Sequence, residues 1–139
     1  MTITIADLEA DGWQRLPTLN FSAAIGPTFM RGEPGARIVA LLTGPEIAND
    51  FMQSVHGGAL MTFADISLGV AVADLLPEPN LSTVQLQYQF AGAVPAGSLV
   101  TCRPEIVRQT RQLVFARALY EAGGKVVGSA DGIFRTFTG

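Results

Sequence analysis

Apolar and polar residues alternate along much of the second half of the chain. Val84, Leu86, Tyr88 and Phe90 alternate with Thr83, Gln85, Gln87 and Gln89, a period of two that predicts a half-buried strand. A Pro/Gly turn over 91–97 leads to a second strand, Leu99 to Val107, in which Pro104 marks a bulge or an edge. A third strand is expected over Gln112 to Glu121. Gly123-Gly124 then predicts a tight hairpin into Lys125 to Phe137. Upstream, Arg37 to Thr43 is strand-like and Gly44-Pro45 ends it. Arg31 to Gly35 is a turn, Phe21 to Met30 a loop or short helix entering a strand, and Ile5 to Ala10 a short helical turn.

One segment breaks the alternation. From Gly57 to about Leu76 apolar residues cover nearly every side of a helix, the pattern of a buried one. Its small or polar positions, Gly58, Thr62, Asp65 and Gly69, are spaced four, three and four apart and share one narrow stripe. Pro77, Glu78, Pro79 and Asn80 end the helix. The sum is a single α+β domain: a strand, one long helix, then an antiparallel meander.

The candidate chemistry sits at the start of that helix, in His56-Gly57-Gly58. A helix N-terminus presents N–H groups without partners and carries partial positive charge. Such donors stabilise a developing oxyanion, and glycine lets a carbonyl approach closely. The pair equally suits tight packing of helix on sheet. Asp65 is a poor helix former in an apolar setting, and an unpaired buried carboxylate costs several kcal/mol. It is either paired structurally or serves as a general base or nucleophile. Gly58 and Asp65 are seven residues apart, roughly 10 Å along a helix, too far for both to touch one carbonyl. If they act together they come from two chains, which predicts a dimer with shared sites. His56, the only histidine, either orients the substrate and Asp65 or caps the helix.

Composition narrows the class. Hydrophobic residues make up 48% and charged residues 15% of 139 positions, a globular balance with few charges for a monomer's surface. Residues 1–100 hold three basic and nine acidic side chains, residues 101–139 six and three. The net charge of −3 argues against nucleic acid. A local basic rim for a phosphorylated ligand remains open beside an ordinary solvated surface. The single cysteine, Cys102, reads as a buried structural thiol in a reducing cytoplasm. No signal peptide or membrane span is expected, and no zinc set, P-loop or dinucleotide fingerprint is present.

The stretch Val55-His56-Gly57-Gly58-Ala59-Leu60-Met61-Thr62-Phe63-Ala64-Asp65, with Thr83-Val84-Gln85-Leu86 downstream, resembles the signature of the PaaI-like (phenylacetate-pathway-type) acyl-CoA thioesterases. The resemblance runs from about Gly35 to the end, dividing the chain into an extension over 1–34 and a hotdog domain over 35–139. It implies a curved antiparallel sheet wrapped around one long central helix, a dimer of dimers, and hydrolysis of an acyl- or aryl-CoA with no cofactor beyond the coenzyme A of the substrate. On that resemblance Asp65 activates water or attacks the thioester. The amides of Gly57 and Gly58 hold its oxygen, His56 is a supporting contact, and Thr83 stands near the attacked carbon. Phe51, Met52, Met61 and Phe63 would line the acyl pocket, and Arg103, Arg108 and Arg111 would meet the phosphates. One departure stands out: where the family carries Asn six residues before the histidine, this chain has Asp50, with Asn49 displaced by one and Gln53 in place of a glycine. The alternatives are an acyl-CoA-binding protein without activity and an enoyl-CoA hydratase or dehydratase.

Overall fold

The computed structural model describes residues 2–137. Eight strands form one antiparallel sheet: β1 (Gln14–Arg15), β2 (Thr28–Arg31), β3 (Ile38–Leu42), β4 (Leu81–Phe90), β5 (Leu99–Cys102), β6 (Glu105–Gln109), β7 (Leu113–Ala122) and β8 (Lys125–Thr136). Their order is β1-β2-β3-β5-β7-β8-β4, with β6 also paired to β7. A short helix, α1 (Ile5–Ala10), precedes them, and a long one, α2 (Gly57–Ala73), lies between β3 and β4.

One face of α2 builds the core. Leu60, Phe63, Ala64, Ser67, Leu68, Ala71 and Val72 are buried, the three- and four-residue spacing of a helix packed on a sheet. They meet Val39, Leu41, Val100, Val114, Tyr120 and Phe134 from the inner sides of the strands. The expectation of a helix buried all round needs correction. Met61, Thr62, Asp65, Ile66, Gly69 and Val70 are only partly covered or exposed, because the sheet wraps one side and leaves the other open. The helix also ends earlier, at Ala73. Asp74 caps it and is gripped by Arg37 from the start of β3, with Nε 3.0 Å from Oδ2 and Nη2 3.3 Å from Oδ1.

Two strand expectations shift. The stretch Leu99 to Val107 is not one strand. Arg103-Pro104 breaks it into β5 and β6, both against β7, because proline has no N–H to give a ladder. In β4 a bulge between Thr83 and Gln85 resets the alternation, so Val84 is 58% exposed rather than inward. The Gly123-Gly124 hairpin is as expected, both residues at positive φ, 59° and 77°. Residues 1–34 contribute β1 and β2 to the sheet edge. Leu8, Trp13 and Phe29 form a second small core with Ala40. Cys102 is buried, and burial pushes its thiol up to about 12.

Candidate active site

The two glycines at the start of α2 divide the work. Neither has positive φ, so neither is required by backbone conformation; both make room. A Cβ on Gly58 would stand 3.1 Å from His56 Nδ1, and one on Gly57 would stand 3.1 and 3.2 Å from Cε1 and Cζ of Phe90. His56 is the N-cap: its Nδ1 accepts the Gly58 N–H at 2.8 Å. That is the capping arrangement among its alternatives, and an Nδ1 that accepts carries no proton. It also corrects the expectation for Gly58, whose amide is spent on the cap. The N–H of Gly57 donates to nothing among the described residues.

Asp65 lies two turns on, on the open stripe, half-buried rather than deep in the apolar interior. Its Oδ1 accepts from Thr83 Oγ1 at 2.6 Å, and Oδ2 has no partner among the described residues. The bulge in β4 makes this contact. With Leu86 and Tyr88 packed on the core, an unbroken alternation would turn Thr83 away from the helix. The extra residue turns it back.

The loop before the helix organises itself. Asn49 Oδ1 accepts from the amides of Phe51 and Met52 at 2.9 and 2.7 Å, and its Nδ2 donates to Ser54 Oγ at 3.0 Å. Asn49 therefore staples its own loop, and no hydrogen bond joins it to Asp65 among the described residues. Asp50 is exposed at the tip and no hydrogen bond or ion pair joins it to the site among the described residues.

The remaining expected residues scatter. Phe51 and Met52 are 94% and 60% exposed on that loop, and Met61 is at the surface of α2. Phe63 is corrected: it is fully buried with its ring edge-on to Tyr120 at 5.7 Å, a core residue facing away from Met61. Arg103 lines a hollow of about 580 Å³ with Arg37, Asp74 and Leu75, at the far end of α2 from Gly57. Arg108 is on β6, and Arg111 is in the turn beside the end of β8. All three are exposed and none is in an ion pair among the described residues. A second hollow, about 740 Å³, lies over the outer face of the sheet between Trp13, Arg117, Leu119 and Asp131. Neither hollow touches Gly57, Asp65 or Thr83.

Sequence reasoning missed Phe90. Its place in the alternation marked it as buried, and its contact with Gly57 spans 33 positions that no local pattern links.

One long helix against an eight-strand, curved antiparallel sheet is the hotdog architecture. The profile of the Thioesterase superfamily matches residues 52–128. A Pseudomonas aeruginosa protein named "Putative esterase PA0474" is 31% identical over 111 residues, 79% of this chain and 83% of its own length. The chain belongs to the Thioesterase superfamily. Two solved structures share the fold. One is a mutant of the phenylacetic acid degradation protein PaaI from Thermus thermophilus, with TM-score 0.73, 23% identity, and 84% of this chain and 98% of that one covered. The other is a hypothetical thioesterase from Streptococcus pneumoniae solved with coenzyme A, with TM-score 0.71, 21% identity, and 78% and 87% covered.

Proposed function

We propose that the chain is an acyl-CoA thioesterase whose reacting thioester lies between two copies of it. The observation that carries the reading is the undonated Gly57 amide at the helix start, on the same element as a carboxylate with one oxygen fixed by Thr83 and the other free. The Gly57 N–H binds the thioester oxygen and takes up charge as the carbonyl carbon becomes tetrahedral. Asp65 Oδ2 either removes a proton from an attacking water or attacks the carbon itself. In both routes the C–S bond breaks, coenzyme A leaves as the thiol, and water supplies the new carboxylate oxygen. Thr83 keeps Asp65 pointed at the substrate.

Gly57 and Asp65 are eight positions apart, about 12 Å along α2, so each must act with the other's counterpart in a second chain. Antiparallel pairing of two β4 edges would run the two open helix faces past one another and supply that arrangement, as a dimer or a dimer of dimers. Arg103, at the far end of α2, then serves the thioester bound on the second chain, and Arg108 and Arg111, farther along β6 and its following turn, are the other candidates for the phosphates. Phe51, Met52 and Met61 form the acyl side. The coenzyme A in the Streptococcus structure and the esterase name of the Pseudomonas relative support this substrate class.

A thiol-release assay with Asp65→Asn tests it. Turnover falls at least about a hundredfold while product coenzyme A still binds. Unchanged turnover removes Asp65 from the reaction. A second reading, acyl-CoA binding without hydrolysis, is favoured by the locked amide of Asn49 and the exposed Asp50. Tight binding by the native chain with no thiol released would establish it.

A further inference from the structure

Past its bulge, β4 turns only glutamines outward. Gln85, Gln87 and Gln89 are exposed and alternate with Leu86 and Tyr88, which pack on the core. On one side they stand opposite Ile133, Asp131 and Ser129 of β8. On the other side β4 has no partner strand among the described residues. We infer that these glutamines form a self-complementary ladder that fixes the register of β4 against β4 of a second copy, with Gln87 on the twofold axis. The inference rests on the two-chain site proposed above and deepens it by naming the pairing that assembles it.

The site sets the centre of the pairing. Gly57 stands level with Phe90, whose ring would lie 3.1 Å from a Cβ on the glycine. Asp65 stands level with Thr83, whose hydroxyl donates to it at 2.6 Å. An antiparallel copy that brings its Asp65 to Gly57 therefore centres the two strands midway between Thr83 and Phe90, at Leu86 or Gln87. A twofold axis through the sheet keeps the inner face inner, and residues directly opposite in an antiparallel pair share a face. Neighbours along a strand face opposite ways, so the axis passes through a residue and not between two.

The bulge between Thr83 and Gln85 decides which residue. Centred on Leu86, the pairing would set Tyr88 against the bulged Val84. Centred on Gln87, it sets Gln85 against Gln89, Leu86 against Tyr88 and Gln87 against itself, all in regular strand. Phe90 then falls opposite the bulge, which brings Thr83 and Asp65 of the second copy to the level of Gly57. Side-chain chemistry suits the same register. A residue on the axis meets its own copy, so lysine or glutamate there would repel itself. Glutamine carries both an acceptor and a donor and can hydrogen-bond to its own copy. Gln89 Oε1 already accepts from Ser129 Oγ at 3.3 Å, which leaves its amide NH2 to donate across the interface to Gln85.

Disulfide trapping in the full chain tests this, since the native thiol of Cys102 is buried. Gln87→Cys chains link to one another under mild oxidation, because directly opposed Cα atoms are about 4.5–5.5 Å apart. Gln85→Cys or Gln89→Cys alone does not link, each lying about 13 Å from its own copy, whereas the two co-expressed do. Linking of Gln85→Cys with Gln87→Cys, and none in Gln87→Cys alone, moves the axis to Leu86 and overturns the inference. So does a native chain that sediments as a monomer, or a dimer that none of these cysteines traps. A second comparison needs no oxidant. Gln85→Lys/Gln89→Glu sets opposite charges across the axis and Gln85→Glu/Gln89→Glu sets like ones, so the second dimer is about tenfold weaker by sedimentation; equal Kd values overturn the register. Thiol release is scored separately on the native chain. Trapping by Gln87→Cys with no thiol released leaves the register standing and removes the thioesterase reading. Release by a chain trapped in another register removes the inference alone.

Discussion

Removing the His56 imidazole leaves one amide at the start of α2 without its protein partner. The cap is a single hydrogen bond, 2.8 Å from Gly58 N to Nδ1, at an exposed position where water recovers part of the loss. His56→Ala therefore costs about 1 kcal/mol, the usual scale for a lost N-cap. In a chain of 139 residues that is about 3–4 °C in Tm. His56→Asn supplies a side-chain oxygen that caps well and returns stability to within a few tenths of a kcal/mol. The assay is thermal unfolding at one fixed protein concentration, since assembly adds a mass-action contribution, with thiol release measured on the same samples. A capping role predicts that His56→Asn recovers both Tm and most of the turnover. A proton-transfer role predicts that both variants lose about a hundredfold in turnover, whatever their Tm. Equal destabilisation of the two variants, or a hundredfold slower His56→Asn at native Tm, refutes the assignment.

Two further outcomes follow from the packing. Arg37 and Asp74 form a twofold contact with side chains 17% and 18% exposed, and the Asp74 hydrogen bond raises the guanidinium pKa above its ordinary value. Arg37→Met strands Asp74 and costs about 1–3 kcal/mol in urea unfolding, part of which Arg37→Met/Asp74→Leu recovers; no change in the single variant would show the pair to be idle. Burial also raises the Cys102 thiol from 9.0 and the Tyr88 hydroxyl from 10.0, each to about 12, and raises Tyr120 as well. These groups stay protonated in the folded chain while the unfolded chain ionises, so stability is complete below pH 9 and falls as pH rises toward 12. Urea midpoints measured across that range decline with pH; a flat profile contradicts the burial.

Much of this architecture is local enough to be legible in the sequence. The Gly57–Ala73 helix, the alternating meander and the double-glycine hairpin each follow from periodicity and turn chemistry. What was hidden depends on positions distant along the chain. Val84 is displaced by a bulge that no alternation announces. Residues 14–15 become a strand only because Met30 and Phe29 lie opposite. Asp65 was legible as an anomaly, but its hydroxyl partner 18 positions away became a partner only through that same bulge. The glycine pair was legible as a candidate site without revealing which amide stays free, because that choice belongs to the rotamer of His56. Phe63 fell inside the signature and was grouped with Met61, although two positions on a helix are about 200° apart. One faces the sheet and the other does not.

The open stripe of α2 and the free edge of β4 are neighbours, and each lacks what the other's copy could give. β4 is ten residues long, pairs among the described residues only with β8, and ends the sheet. Long edges are ordinarily blunted with charge or proline, yet Leu81 to Phe90 contains neither. Beside it Gly69 has nothing within 4 Å of where a Cβ would stand, and Gly58 is bare to solvent, leaving space along the helix for another element to approach. Pairing β4 with its own copy would satisfy the backbone edge and close over the helix in one step. Under the proposed function that same step would bring the Gly57 amide a carboxylate from the second chain. Under the proposed function the unguarded edge is the route by which the site is completed, and a variant that blocks it with charge, Val84→Lys or Gln87→Glu, is expected to lose assembly and thiol release together.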